Sequence, residues 1–278
     1  MSLRINTNVP SLASQRALGK NMSNLSDNLR KLSSGERVTR AGDDAAGLAI
    51  SENLKAYIRG TRQAGRNAGD AISLVQTAEG GLNEISSIVI RLRELSIQAA
   101  SDTIGETERR FSDIEFQQLK EEIDRISRSS EFNGTKLLDG TGGVLDFQIG
   151  TKNDPTLDRL TYDGTSNNAT LAALGLGMES IGSKGGAQQS LKKLDDALVQ
   201  INGVRANLGA TQNRLTSIIN NLAIGDENLN AANSRIRDVD VASETAEMAK
   251  NNILVQSSGS VLTQANALPN VALKLIGA

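Results

Sequence analysis

The sequence has no cysteine, no histidine and no tryptophan, and aromatic residues fill only 2% of its 278 positions. Each shortage excludes something. Without cysteine there is no disulfide, no thiolate metal site and no thiol nucleophile. Without histidine there is no Ser-His-Asp triad, no imidazole base and no ordinary zinc site. With so few large aromatics a thick globular core is hard to build, and the apolar inventory is mostly Leu, Ile, Val and Ala, the residues of helix seams. An excess of one charge is missing too: 30 Lys+Arg stand against 32 Asp+Glu, a net charge of -2. That argues against a nucleic-acid partner, which needs surplus cations to neutralise phosphates. No run approaches the roughly 18 apolar residues of a transmembrane helix, so no membrane partner is expected. Met1 to Asn8 lack the apolar stretch and cleavage site of a signal peptide. The default expectation is a cytoplasmic protein, and it fails for substrates of export machines that cleave nothing.

What is present is heptad pattern. Leu18, Met22, Leu25, Leu29 and Leu32 recur at alternating spacings of 4 and 3, then Ser33-Ser34-Gly35 breaks the run. A second helical stretch is expected over roughly 44–100, with Ala71, Val75, Ala78, Leu82, Ile85, Val89 and Leu92 on one stripe, widened by Ile88, Leu95 and Ala99. Gly60, Gly65, Gly69, Gly80 and Gly81 each weaken that helix by about 1 kcal/mol relative to Ala, which packing must offset. A third helix is expected from about Glu106 to Ser129, carrying Phe111, Ile114, Leu119, Ile123 and Ile126. Turn dipeptides such as Asn133-Gly134, Asp139-Gly140 and Asp163-Gly164 then mark one or two β-hairpins within about 133–186. In the last third, Leu194, Ile201, Leu208, Leu215, Leu222, Leu229 and Ile236 stand seven apart, a long packed helix. Leu254, Val261, Leu268 and Leu275 repeat the spacing, with Ser258, Ala265 and Ala272 as companions and Pro269 expected to kink or fray the helix. The expected fold is mainly α: a long antiparallel helical bundle or coiled coil with a small β-hairpin insert. Seams at both chain ends suggest that the termini pair with each other or with copies of themselves, and ordering only on assembly is one expectation for them.

Several longer motifs stand out beside the heptads. They are Ile5-Asn6-Thr7-Asn8-Val9, Gln15-Arg16, Leu32-Ser33-Ser34-Gly35 and the run from Ala41 to Ser51 near the N-terminus. Toward the C-terminus they are the run from Arg205 to Leu215, then Glu227-Asn228-Leu229, Ser234-Arg235-Ile236-Arg237-Asp238 and Gln264-Ala265-Asn266. Together these motifs resemble the bacterial flagellin family, and the resemblance implies two domains. D0 would be made by the chain ends, about 1–43 and 239–278, and D1 by the helical bundle, about 44–238. It implies a structural subunit of a helical filament in the extracellular flagellum, exported without a cleaved signal peptide, with no catalysis and no cofactor. Implied partners are copies of itself, an export chaperone at the C-terminal helix, and filament-cap and hook-junction proteins. Arg91, Leu95, Gln98 and Glu115 match the segment that a Toll-like receptor of animal cells recognises, on a face also expected to meet the next subunit. The expected assembly seams are Leu18, Met22, Leu25, Leu29 and Leu32 with Leu254, Val261, Leu268 and Leu275.

Two other readings compete. A hook–filament junction protein shares the terminal helices, but the unbroken D1 motifs and the lack of a large insert favour flagellin. A cytoplasmic coiled-coil adaptor would not need matching seams at its two ends. Asp43-Asp44, which could be taken for paired catalytic carboxylates, fit a helix N-cap better. The glycines from Gly140 to Gly143 lack the Lys-Ser/Thr of a phosphate loop.

Overall fold

A computed structural model of the chain describes residues 7–276, with side chains as far as 269. The chain forms α1 (Val9–Ser34), α2 (Ala45–Ala100), α3 (Glu106–Ser129), β1 (Glu131–Phe132), β2 (Thr135–Lys136), β3 (Val144–Gln148), β4 (Arg159–Asp163), α4 (Lys184–Arg237) and α5 (Val241–Ile276). It divides into two compact units, one of Met1–Ala56 with Asn228–Ala278 and one of Tyr57–Glu227.

Local chemistry explains where the helices begin and end. The Asn8 side chain accepts the Ser11 N–H with Pro10 in the first turn of α1, and Gly35 closes that helix with a left-handed φ of 70°. Asp44 Oδ1 accepts the Gly47 N–H at 2.8 Å, and Asp43 Oδ2 accepts the Thr39 and Arg40 N–H groups. Asp44 is therefore the cap of α2, while Asp43 closes the loop ahead of it and caps no helix. Arg109 donates to the carbonyls of Ala99 and Ser101, both at 2.8 Å, and satisfies acceptors at the end of α2. Ser183 Oγ accepts the Gly186 N–H at 3.1 Å, so α4 starts ahead of the leucine pattern and runs through Gly185-Gly186. Asp240 Oδ1 accepts the Ala242 N–H at 3.0 Å and starts α5. That helix continues through Pro269 to Ile276, so the proline forfeits a hydrogen bond without ending it.

In the Tyr57–Glu227 unit the heptad stripe of α2 is the core. Val75, Ala78, Leu82, Ile85, Val89 and Leu92 are all fully buried, facing Leu194, Ile201, Leu208 and Leu215 of α4 and Phe116 and Ile123 of α3 in one cluster. Two of the α2 glycines have a packing reason. A Cβ on Gly81 would lie 2.7 Å from Leu138 Cδ1, and one on Gly60 would lie 3.0 Å from Thr151 Cγ2. The α3 face differs from expectation: Phe111 and Ile114 are 66% and 57% exposed, and Phe116 takes the core position.

Two antiparallel pairs make up the insert, β1 with β2 and β3 with β4. Asn133 and Gly134 carry the positive φ angles, 48° and 80°, that a two-residue hairpin turn requires. Phe132 packs on the bundle core, as do Leu160 and Tyr162 of β4. A polar lock joins α3, the segment before α4, and α4. Lys120 Nζ donates to the carbonyls of Gly177 (3.1 Å) and Glu179 (2.8 Å), while the Glu179 carboxylate meets Lys193 Nζ at 2.5 Å. Desolvation holds the Lys120 ammonium below the usual lysine range.

In the other unit α1 and α5 lie side by side, antiparallel. Asn8 Nδ2 donates to the Ala265 carbonyl at 2.8 Å, Ser11 Oγ to Asn266 Oδ1 at 2.6 Å and Asn21 Nδ2 to Ser258 Oγ at 2.9 Å.

Candidate interaction surfaces

Among the described residues, no group of three or more His, Cys, Asp or Glu is placed to hold a metal ion. No described helix is long and apolar enough to cross a membrane. The surfaces that remain are helix faces.

The first lies on α2 and α3. Arg91 Nε donates to Glu115 Oε1 at 3.0 Å and Arg91 Nη1 to Glu94 Oε2 at 3.0 Å, so one guanidinium bridges the two helices. The Glu115 hydrogen bond, then that of Glu94, raises the Arg91 pKa above its ordinary value. Arg93 Nε meets Asp195 Oδ1 at 2.7 Å and is raised in the same way. Gln98 is exposed. Leu95 departs from the expectation of an apolar contact residue ringed by charge. It is 2% exposed, because it falls on the buried stripe with Leu92 and Ala99. Near the Arg91–Glu115 pair the exposed apolar groups of these two helices are instead Ile90, Ile97, Phe111 and Ile114, each at least half exposed. Helical phase gives the signal for them: Ile90 and Ile97 sit seven apart, outside the core stripe.

The second surface is the terminal helix pair, where the expected seam divides. Leu18, Leu25 and Leu32 are half-buried, on the side that meets α5 through Asn21 and Asn28. Met22 and Leu29 are 56% and 52% exposed. On α5 the residues turned inward are Glu244, Met248, Asn251, Val255, Ser258, Leu262 and Ala265. Leu254, Val261 and Leu268 form an outward stripe, 38%, 53% and 45% exposed. Leu275 has a side chain outside the described residues, as do Ile5 and Asn6 of the N-terminal motif. The companion seam expected on α5 at Ser258 and Ala265 is the inner one, while its α1 partners Asn21 and Asn28, whose heptad spacing was the available signal, were not singled out.

Known proteins share this arrangement. The bacterial flagellin N-terminal helical region matches residues 5–142, and the bacterial flagellin C-terminal helical region matches residues 191–276. A flagellin of Halalkalibacterium halodurans is 45% identical over 274 residues, covering 98% of this chain and 99% of that protein. A flagellar filament core protein of Treponema maltophilum is 40% identical over 284 residues, covering 98% and 99%. The crystal structure of Bacillus cereus flagellin superposes with a TM-score of 0.51 at 34% identity, over 56% of this chain and 88% of that one. With both helical regions matched and near-complete coverage of its relatives, this chain belongs to the bacterial flagellin family.

Proposed function

We propose that this filament subunit assembles through the outward apolar stripes of its terminal helix pair, with the Arg91–Glu115 face as a second contact between copies. The observation that carries the reading is the stripe at Leu254, Val261 and Leu268, exposed on a helix whose other face is already occupied by α1. A solvated stripe of this kind is costly unless something covers it. Heterologous contacts that do not close on themselves extend into an open helical polymer, so a second copy of the chain is the partner that fits. The division of labour follows the D0 and D1 boundaries implied by the resemblance, 1–43 with 239–278 for the terminal pair and 44–238 for the bundle.

The same reading places the subunit outside the cell, exported without a cleaved signal peptide, and gives it no chemistry of its own. An export chaperone at α5 would cover the stripe before assembly, and cap and hook-junction proteins would meet it at the filament ends. Receptor recognition by an animal Toll-like receptor would use Arg91, Gln98 and Glu115, and only on the free monomer.

Electron microscopy tests the core of this reading. The full chain, seeded with filament fragments, should grow long filaments. The chain ending at residue 238 should stay a soluble, folded bundle and grow none. Long filaments from the shortened chain would refute the role given to α5.

A further inference from the structure

The terminal helix pair is held in layers, and the layers repeat. Asn21 Nδ2 donates to Ser258 Oγ at 2.9 Å, and Asn251 Nδ2 donates to Asn28 Oδ1 at 2.8 Å. Asn28 Nδ2 in turn donates to Glu244 Oε1 at 2.5 Å. Antiparallel pairing of 21 with 258 and of 28 with 251 sets Leu18, Leu25 and Leu32 in the alternate layers. They stand there opposite Leu262, Val255 and Met248, all half-buried. Polar residues therefore recur every seven positions on both helices: Ser14, Asn21 and Asn28 on α1, and Glu244, Asn251 and Ser258 on α5.

A single buried Asn fixes register, because slippage would set it against hydrocarbon. A polar repeat of seven cannot do so. A half-heptad slip is rejected, since it puts Asn against Met or Val. A whole-heptad slip, about 10 Å at 1.5 Å per residue, brings Asn21 opposite Asn251, Asn28 opposite Glu244 and Ser14 opposite Ser258, with leucines still facing apolar partners. The connector from Gly35 to Asp44 between α1 and α2 is long enough to follow such a slide. In that sense the layered part of the seam is degenerate, whereas a slide the other way would set Asn21 against Ala265. Within the pair the Ser11–Asn266 and Asn8–Ala265 bonds at its far end resist the first slide, and a contact outside the layers must supply most of the choice.

We infer that Arg237 makes that choice, as a positioning residue that clamps the junction of the four helix ends and so selects the register of α1 on α5. Two main-chain bonds join the loop after α1 to the loop before α5: Arg37 N–H to the Arg237 carbonyl at 2.6 Å, and Val239 N–H to the Gly35 carbonyl at 3.0 Å. These bonds lie near the surface and are few. The Arg237 side chain, only 14% exposed, ties them down. Its Nε donates to Glu36 Oε1 at 2.7 Å, and its Nη1 donates to the Glu52 carboxylate on α2 and to Ser51 Oγ at 3.4 Å. Ser51 Oγ donates to Asn233 Oδ1 of α4 at 2.8 Å, and the Arg37 guanidinium donates to the Ile236 carbonyl at 2.6 Å. One planar fork thus holds the loop after α1, the N-terminal part of α2 and the end of α4 together, four positions ahead of α5. A slide of one heptad would carry Glu36 about 10 Å from that fork, breaking the ion pair and both main-chain bonds.

The chain has no native cysteine, so introduced pairs report register cleanly. Asn21→Cys with Ser258→Cys marks the observed register. Ser14→Cys with Ser258→Cys, and Asn21→Cys with Ala265→Cys, mark displacement by one heptad in the two directions. Each full-length chain is oxidised at low concentration, and the intramolecular crosslink is followed on non-reducing gels. With Arg237 in place the native pair should close roughly tenfold faster than either displaced pair, the ratio expected from charge-assisted hydrogen bonds. Arg237→Ala should bring a displaced pair to a comparable rate. So should Glu36→Gln with Glu52→Gln, which keeps shape and removes only charge, and Arg237→Lys should fall between. Far-ultraviolet melting of each chain checks that the bundle still folds, and the Gln pair serves if the alanine variant does not. A native pair that keeps its full advantage in both variants overturns the inference. So does loss of all three crosslinks, which would mean that the pair opens without sliding. Absence of any preference in the unsubstituted junction would overturn the register itself.

Discussion

The bundle and the terminal pair are both built on heptads, and they use them in opposite ways. In the bundle, the α2 stripe from Val75 to Leu92 is wholly apolar and fully buried, and it meets equally dry faces of α3 and α4. In the terminal pair the inner seam alternates leucine with Ser and Asn, and much of the apolar surface points outward, with Met22 56% and Val261 53% exposed. A dry core stabilises its fold through the area it removes from water, about 25 cal/mol per Å². A seam with polar layers gives up part of that stabilisation for specificity. The bundle thus covers its own apolar stripe, whereas the terminal pair leaves much of its hydrophobic surface uncovered within one chain, the surface to which the proposed function assigns the contact between copies.

Aspartate placed on each kind of stripe should break the comparison most visibly. Leu208 is 2% exposed at the middle of the α4 stripe. Leu208→Asp buries an unpaired carboxylate, at a cost of several kcal/mol against a typical total stability of about 5–15 kcal/mol. The monomer melt should fall steeply. Leu254 is 38% exposed, and Leu254→Asp should leave the monomer melt nearly unchanged, within about 0.5 kcal/mol, while filament yield by sedimentation collapses. Similar melts for the two variants would mean that the two stripes do not differ in the way described.

The same contrast explains how much was legible in the sequence. The α2 stripe and the first half of the α4 stripe could be read directly, because the core positions from Val75 to Leu92 and from Leu194 to Leu215 are buried, whereas Leu222, Leu229 and Ile236 further along α4 are only half-buried. The α3 boundaries at Glu106 and Ser129 follow from the same periodicity. The reading weakened where a helix carries two apolar faces. On α5 the larger residues, Leu254 and Val261, make the stronger visual stripe, yet the smaller and more polar set with Asn251, Ser258 and Ala265 turns inward. Phe111 and Ile114 were ambiguous on α3 for the same reason. Leu95 is buried where its helical phase with Leu92 and Ala99 puts it, and the contact role implied for it by the resemblance does not fit that burial. The Arg237 junction joins residues about 200 positions apart, which no local pattern reveals.

A smaller effect is expected in the insert, whose apolar residues pack on the bundle core while carboxylates hold its exposed turns. Asp163 accepts hydrogen bonds from the Ser166 and Thr165 hydroxyls and the Thr165 N–H, which lower its pKa to about 2. Asp154 is lowered by Thr156 in the same manner. An unfolded aspartate titrates near 3.9. A depressed folded value means that the contribution is complete above about pH 4 and is lost as pH falls toward 2. Amide exchange at Thr165 should therefore accelerate across that window while amides of the α2 core stay protected. Asp163→Asn should remove most of the pH dependence at Thr165. Protection at Thr165 that is flat down to pH 2 would show that these carboxylates do not hold the loop.

The smallest change in stability, paired with a specific change in recognition, is expected from Arg91→Ala with Glu115→Ala. Both side chains are about half exposed, at 50% and 47%, and they satisfy each other across α2 and α3. Removing both leaves no buried charge and opens no cavity. An exposed ion pair contributes roughly 0–1 kcal/mol, so the thermal melt should move little. Truncating anchors at an interface can cost about 2 kcal/mol or more. Under the proposed function, which puts both contacts on one face, monomer affinity for a flagellin-sensing Toll-like receptor should fall, and filament yield should fall with it. The measurement is paired: receptor titration of the monomer, and sedimentation of the polymer. Unchanged affinity would remove Arg91 and Glu115 from the receptor contact. Reduced affinity with normal polymerisation would separate the two surfaces, and a parallel test of Ile97→Ser and Phe111→Ser would then locate the subunit contact on the exposed apolar groups beside them.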